Sequence, residues 1–156
     1  MAEENPKSTA SIGGHPIHPM LVPLPIGLLV GALLTDIAYA EWGWASFAYF
    51  STWLLGAGII TALLAALFGF IDFFGERRIR QLKRAWYHMV GNLVAVLLAI
   101  VNFAVHMRDG AMAVIPTGLT LSAITVILLL INGWMGGELV FRHGVGVRSP
   151  AEAPEG

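Results

Sequence analysis

The sequence predicts an all-α integral membrane protein, a four-helix bundle with both termini cytoplasmic. Three observations carry this expectation. Of 156 residues, 56% are hydrophobic and 12% charged, with a mean hydropathy of +0.72, whereas a soluble domain is about a quarter charged. The apolar residues gather into four runs, each near the roughly 20 residues that cross a bilayer as a helix. Finally, of nine Lys and Arg, Lys7, Arg77, Arg78, Arg80, Lys83, Arg84, Arg142 and Arg148 fall on the face shared by the termini. Arg108 alone falls on the other. Taking the membrane as a bacterial-type inner membrane, the positive-inside rule then puts both termini of this multi-pass protein in the cytoplasm.

Residues 1–14 are polar and read as a disordered tail. No short apolar core with a small-residue cleavage site follows them, so the first apolar segment is expected to stay in the protein. His15-Pro16-Ile17-His18-Pro19 then leads into the first span, about 20–40, interrupted by Asp36. Proline is tolerated in a first helical turn, where its missing N–H has no partner anyway. Glu41-Trp42-Gly43-Trp44 is a turn with aromatics at headgroup depth. The second span, about 47–74, lies in a run free of Asp, Glu, Lys and Arg from Trp42 to Ile71, and Asp72 sits at its end. Residues 75–84 hold five basic residues in ten. The third span is about 86–107. Arg108-Asp109-Gly110 is a short loop, and the fourth span, about 112–134, is broken by Gly136-Gly137-Glu138. The bundle is expected over 15–147, with a disordered tail over 148–156.

Membrane helices associate through small residues and through polar residues that bond across the interface. Such faces recur at helical spacing: Gly27, Gly31 and Thr35; Gly58, Ala62, Ala65, Gly69 and Asp72; His88, Asn92, Ala95, Ala99, Asn102 and His106; Gly118, Ser122, Thr125, Asn132 and Gly136.

Ionisable groups within a bilayer are costly and usually face the bundle interior with a partner. The four-span count brings His15, His18, Asp72, His88, Glu138 and His143 to the cytoplasmic ends of their helices, as one candidate layer. His106 and Asp36 belong to the opposite end. There His106 reads as interfacial and Asp36 as a hydrated or capping residue. Asp72 has an alternative use, pairing with Arg77 or Arg80.

The chain has no cysteine, which excludes disulfides, thiolate zinc, Cys-ligated clusters and c-type haem attachment. No nucleophile elbow, phosphate loop or HExxH occurs, so enzyme chemistry is not indicated. Nor is nucleic-acid binding, since the basic loop is first a topology signal. A haem b needs only imidazoles between helices. His15 or His18 with His88 would supply them, with His143, Asn92 and Arg142 nearby and Arg side chains for the propionates. The alternatives are a single Zn, Fe or Cu ion held by His15, His18, His88, His143, Asp72 and Glu138, and a cofactor-free membrane anchor for a redox partner. A homo-oligomer is compatible with each.

The residues HPIHPMLVPLPIGLL at 15–29 and WMGGELVFRHGVGV at 134–147 resemble the bacterial membrane family catalogued as domain of unknown function 2231. The resemblance covers His15 to about Val147 and implies four spans. The family pattern maps onto His15, His18, Asp36, Asp72, His88, Gly136, Gly137, Glu138, His143 and Gly144 here. Some relatives look fused to a Rieske iron–sulfur domain. That implies electron transfer with a separate Rieske-type or other redox partner for this chain, which lacks that part.

Overall fold

A computed structural model of the chain describes residues 5–147. The expected C-terminal tail, 148–156, and residues 1–4 lie outside the described residues. Asn5 onward, expected as tail, is instead held in place. Two short strands, β1 (Ser11–Ile12) and β2 (His15–Pro16), pair antiparallel. The turn between them is Gly13-Gly14, with φ of 57° and 79°, a left-handed conformation that glycine adopts without steric cost. The short helix α1 (Ile17–Leu21) leads directly into α2 (Pro23–Trp42), whose prolines occupy its first turn. Gly43, with φ of 70°, ends α2 as its N–H returns to the Tyr39 carbonyl. This is the usual left-handed glycine stop.

α3 (Ala45–Gly75) is the longest helix at 31 residues. The basic loop folds as a one-turn helix, α4 (Arg77–Gln81), capped by the Glu76 side chain on the Arg78 N–H. Its Ile79 is buried with Phe73, Ala85 and Leu139, so α4 lies on the end of the bundle with Arg77 and Arg80 exposed. α5 (Lys83–Asp109) follows, then a 3₁₀ turn (Gly110–Ala113) and a kinked turn (Val114–Gly118), and finally α6 (Leu119–Phe141).

Two expectations about the fourth span are corrected. Residues 112–118 are turn rather than helix, because Ile115 is extended (φ −116°, ψ 125°). Gly136-Gly137 does not break α6. The helix continues to Phe141, and the Arg142 N–H still reaches the Glu138 carbonyl. A further correction concerns the first span. Gly27 has open space around it, and α2 turns Pro25, Leu29, Ala32 and Asp36 inward instead. The Thr35 hydroxyl returns to its own helix, at the Gly31 and Ala32 carbonyls.

By length and hydropathy, three segments can cross a membrane: Ile17–Trp42, Ala45–Gly75 and Lys83–Phe141, the last with 59 residues spanning both α5 and α6. Large apolar side chains such as Leu34, Ile60, Leu97 and Leu130 are exposed along their outer faces. The inner faces hold small and polar residues, as membrane helices do where backbones approach.

Candidate functional site

Two polar clusters occupy opposite ends of the bundle. At the first end, His18 on α1 sits beside His88 on α5, with ring centroids 6.3 Å apart and planes at 85°. His18 Nδ1 lies 2.8 Å from the Ala65 carbonyl of α3, and His88 Nδ1 lies 3.0 Å from the Asn132 carbonyl of α6. A carbonyl oxygen only accepts, so both Nδ1 atoms carry the hydrogen. Each neutral imidazole then keeps its lone pair on Nε2. Of the HPIHP prolines, Pro16 caps α1 and Pro19 lies within it, on either side of His18. Each ring also rests on a glycine. A Cβ on Gly69 would lie 3.0 Å from His18, and one on Gly136 would lie 3.0 Å from His88.

Asn92, one turn along α5, donates its amide to His88 Nε2 at 3.1 Å and to the His88 carbonyl at 2.9 Å. The Asn132 side chain is buried against Gly91, and both its amide atoms lack a hydrogen-bond partner among the described residues. A buried, unpartnered amide is costly, and this one stands beside the His88 anchor.

The rest of the expected layer is employed otherwise. Asp72 Oδ1 accepts from Ser8 Oγ at 2.8 Å, Thr9 Oγ1 at 3.3 Å and the Ala10 N–H at 2.7 Å. It therefore holds the N-terminal strap. Glu138 is buried and pairs with Arg84 and with Arg142, the latter at 3.0 Å. His15 is exposed on β2, beside an open apolar surface of Pro16, Pro19 and Met20. His143 is half-buried in the turn after α6, without a ring contact to His18 or His88 among the described residues. Arg142 is two-thirds exposed on its pair with Glu138. Among the described residues, no three of His, Asp and Glu form a group able to hold a metal ion.

At this end the strap closes on the last residues of the fold. Asn5 Nδ2 donates to the Val147 carbonyl, and the Gly146 N–H donates to the Pro6 carbonyl at 2.8 Å. Arg78 reaches the Asn5 carbonyl at 3.1 Å. Glu76, outside the apolar segments, is held below the usual carboxylate range, first by the Arg78 backbone N–H and then by its guanidinium.

The opposite end holds a cluster that sequence reasoning divided into two interfacial residues. Asp36 and His106 are both buried, and His106 Nε2 lies 3.4 Å from Asp36 Oδ1. Ser122 Oγ donates to Asp36 Oδ2 at 2.6 Å, and the Asn102 amide donates to Ser122 Oγ at 2.8 Å. His106 Nδ1 lies 3.0 Å from the Asn102 carbonyl. A serine, a histidine and an aspartate meet here, but the hydroxyl points to the carboxylate and not to the imidazole. It is therefore not an activated nucleophile of the triad kind. The available signal was spacing: Asp36 lies 18 residues after His18, and His106 lies 18 after His88.

Residues 14–149 match the family model described as Predicted membrane protein (DUF2231). The chain belongs to that family. No curated protein and no solved structure matches it.

Proposed function

We propose that this member of the DUF2231 family crosses the bacterial inner membrane four times, termini in the cytoplasm, and binds a haem b through His18 and His88 to transfer electrons. The observation that carries the haem reading is the facing pair of imidazoles from different helices, 6.3 Å apart between ring centres and nearly perpendicular. His18 and His88 would hold the group between them. An imidazole whose Nδ1–H is anchored on a carbonyl is also the usual form of a ligating histidine, because the anchor fixes its tautomer and orientation.

The residues fit the group in three further respects. Gly69 and Gly136 leave room that a Cβ would take from the rings. Asn92 keeps a second acceptor, the His88 carbonyl, when Nε2 is engaged. The buried Asn132 amide has polar atoms to offer. A haem would be held by two imidazoles, those of His18 and His88, whereas a lone Zn, Fe or Cu ion asks for three or four protein ligands. The described residues supply the smaller number, and Asp72 and Glu138 are already committed. Bound haem would supply one-electron redox chemistry. The chain's own part is to orient the two imidazoles, seat them between helices and hold Arg84 and Arg142 at the same end. A separate redox protein is the partner this requires.

The four-span reading rests on α5 and α6 running back along one another. His88 meets Asn132, Asn102 meets Ser122, and His106 meets Gly118. The charge asymmetry supports a reading with Arg108 outside and Arg80 inside. The test of the site is an absorption spectrum of the full chain, expressed with ample haem and purified in detergent. A Soret band that shifts on dithionite and is lost in both His18→Ala and His88→Ala is expected. A colourless protein with stoichiometric zinc, iron or copper would replace haem by an ion. Neither chromophore nor metal would leave a membrane anchor. Because the chain has no cysteine, a single introduced one tests topology: Arg108→Cys should label from outside intact spheroplasts and Arg80→Cys should not.

A further inference from the structure

The two histidine seats are built alike. His18 bonds the carbonyl of Ala65 and lies over Gly69, four residues on; His88 bonds the carbonyl of Asn132 and lies over Gly136, also four residues on. The histidines differ by 70 in number, and their seats differ by 67 (65 to 132, 69 to 136). The same offsets hold along the helices. Buried Pro25, Leu29, Ala32 and Asp36 of α2 correspond to Ala95, Ala99, Asn102 and His106, four of the buried residues of α5. Buried Leu55, Gly58 and Ala65 of α3 correspond to Ser122, Thr125 and Asn132, buried on α6.

Some residues also meet their own counterparts. His18 faces His88, Leu29 and Ala99 share one core cluster, and Asp36 faces His106 across an offset of 70. In an assembly of two-fold symmetry, a residue meets its own copy only at the axis. Parallel repeats about an axis along the membrane normal are one established plan for membrane proteins.

We infer that the chain is two copies of one helical hairpin about an internal pseudo-two-fold axis, and that Asp36 and His106 form a second site on this axis, which holds one proton. The proton follows from the bonding. His106 Nδ1 faces a carbonyl and must carry its hydrogen. Asp36 Oδ2 accepts the Ser122 hydroxyl. That leaves Nε2 and Oδ1 facing one another, two lone-pair atoms unless a proton lies on one of them. With one proton the pair is neutral overall, as imidazolium with carboxylate or as imidazole with carboxylic acid. Without it, or with a second, a bare charge remains in a buried, apolar setting. The neighbours cannot compensate. Asn102 and Ser122, which bond to the pair, do not titrate, nor do the buried Ser51 of α3 and Thr125 of α6, whose hydroxyls bond to backbone carbonyls, and Arg108 pairs with Asp109 at the exposed end of α5.

Two experiments on the full chain test this. In nanodiscs, ¹⁵N-histidine spectra should show a His106 signal, assigned by its loss in His106→Gln, that stays fixed from about pH 5 to about pH 9, the range that carries a free imidazole through its midpoint near 6.5. A His106 signal that titrates there overturns the proton site. Exchanging the two residues tests the axis. Asp36→His and His106→Asp should each cut the yield of monodisperse protein about tenfold by leaving like groups face to face, and the double exchange D36H/H106D should recover most of it. Single variants at parental yield, or a double no better than the singles, overturn the assignment.

Discussion

The two ends of the bundle put similar residues to opposite uses. At one end His18 and His88 are half-buried, and each is satisfied by a backbone carbonyl. Neither depends on the other for its hydrogen bond. At the other end Asp36 and His106 are sealed and satisfy one another through a closed circuit with Ser122 and Asn102. The lesson is about substitution at a matched position. At the histidine pair, His88 Nε2 is met by the Asn92 amide rather than by His18. An aspartate opposite a histidine makes a pair that is already complete.

The sealed end should be the less tolerant. Asp36→Leu leaves the Ser122 hydroxyl without its acceptor and His106 Nε2 without its partner in the interior. Breaking a buried pair on one side costs about 3–5 kcal/mol, and denaturant unfolding in mixed micelles should show a loss of that size. A loss no larger than that of His18→Ala would erase the contrast. Next is Gly118→Ala, whose Cβ would fall 2.5 Å from His106 and 3.0 Å from the Ala113 carbonyl. Because backbone cannot yield cheaply, a cost of about 1–3 kcal/mol is expected in the same assay. Gly69→Ala and Gly136→Ala meet only imidazole atoms at 3.0 Å. They should cost about 1 kcal/mol or less, equal to each other if the two seats are equivalent, and should displace any Soret maximum by similar amounts.

The smallest effect belongs to the loop. The Glu76 carboxyl is depressed in the folded chain, so its cap on α4 is fully present above the unfolded carboxylate value, about 4.3. It is lost as pH falls through the lower folded value. Amide exchange at Arg78 should rise below about pH 4, while the amides of α5 facing His106 hold their protection. Simultaneous loss at both places would mean that one cooperative unit covers the whole bundle.

Much of this was legible in advance. The face His88, Asn92, Ala95, Ala99, Asn102, His106 was read from spacing, and the helix turns four of these residues fully inward. His18 and His88 were expected at one depth, and they meet. Asp36 and His106 do not read as a pair from the sequence, because Asp36 lies one turn from the expected end of its span, where water is near, and His106 has no second histidine on its side. Burial depends on what neighbouring helices cover, and a single chain segment does not carry that information. The GxxxG of the first span misled for a related reason. Small residues permit close approach without requiring it, and Gly27 faces open space. Gly136-Gly137 read as a break because glycine is a weak helix former, but the His88 ring on Gly136 rewards the absence of a side chain there.

The strap from Asn5 to Gly14 adds one consequence. Its bonds to Gly146 and Val147 bring residues 5 and 147 together, over the end that holds His18 and His88. Geometrically the described chain is a closed loop, fastened by Asp72 to the foot of α3. Anything tethered by a short flexible linker to either side of that fastening is confined above the same face, at an effective concentration of about millimolar. A weak docking partner would need no further contact surface to stay there.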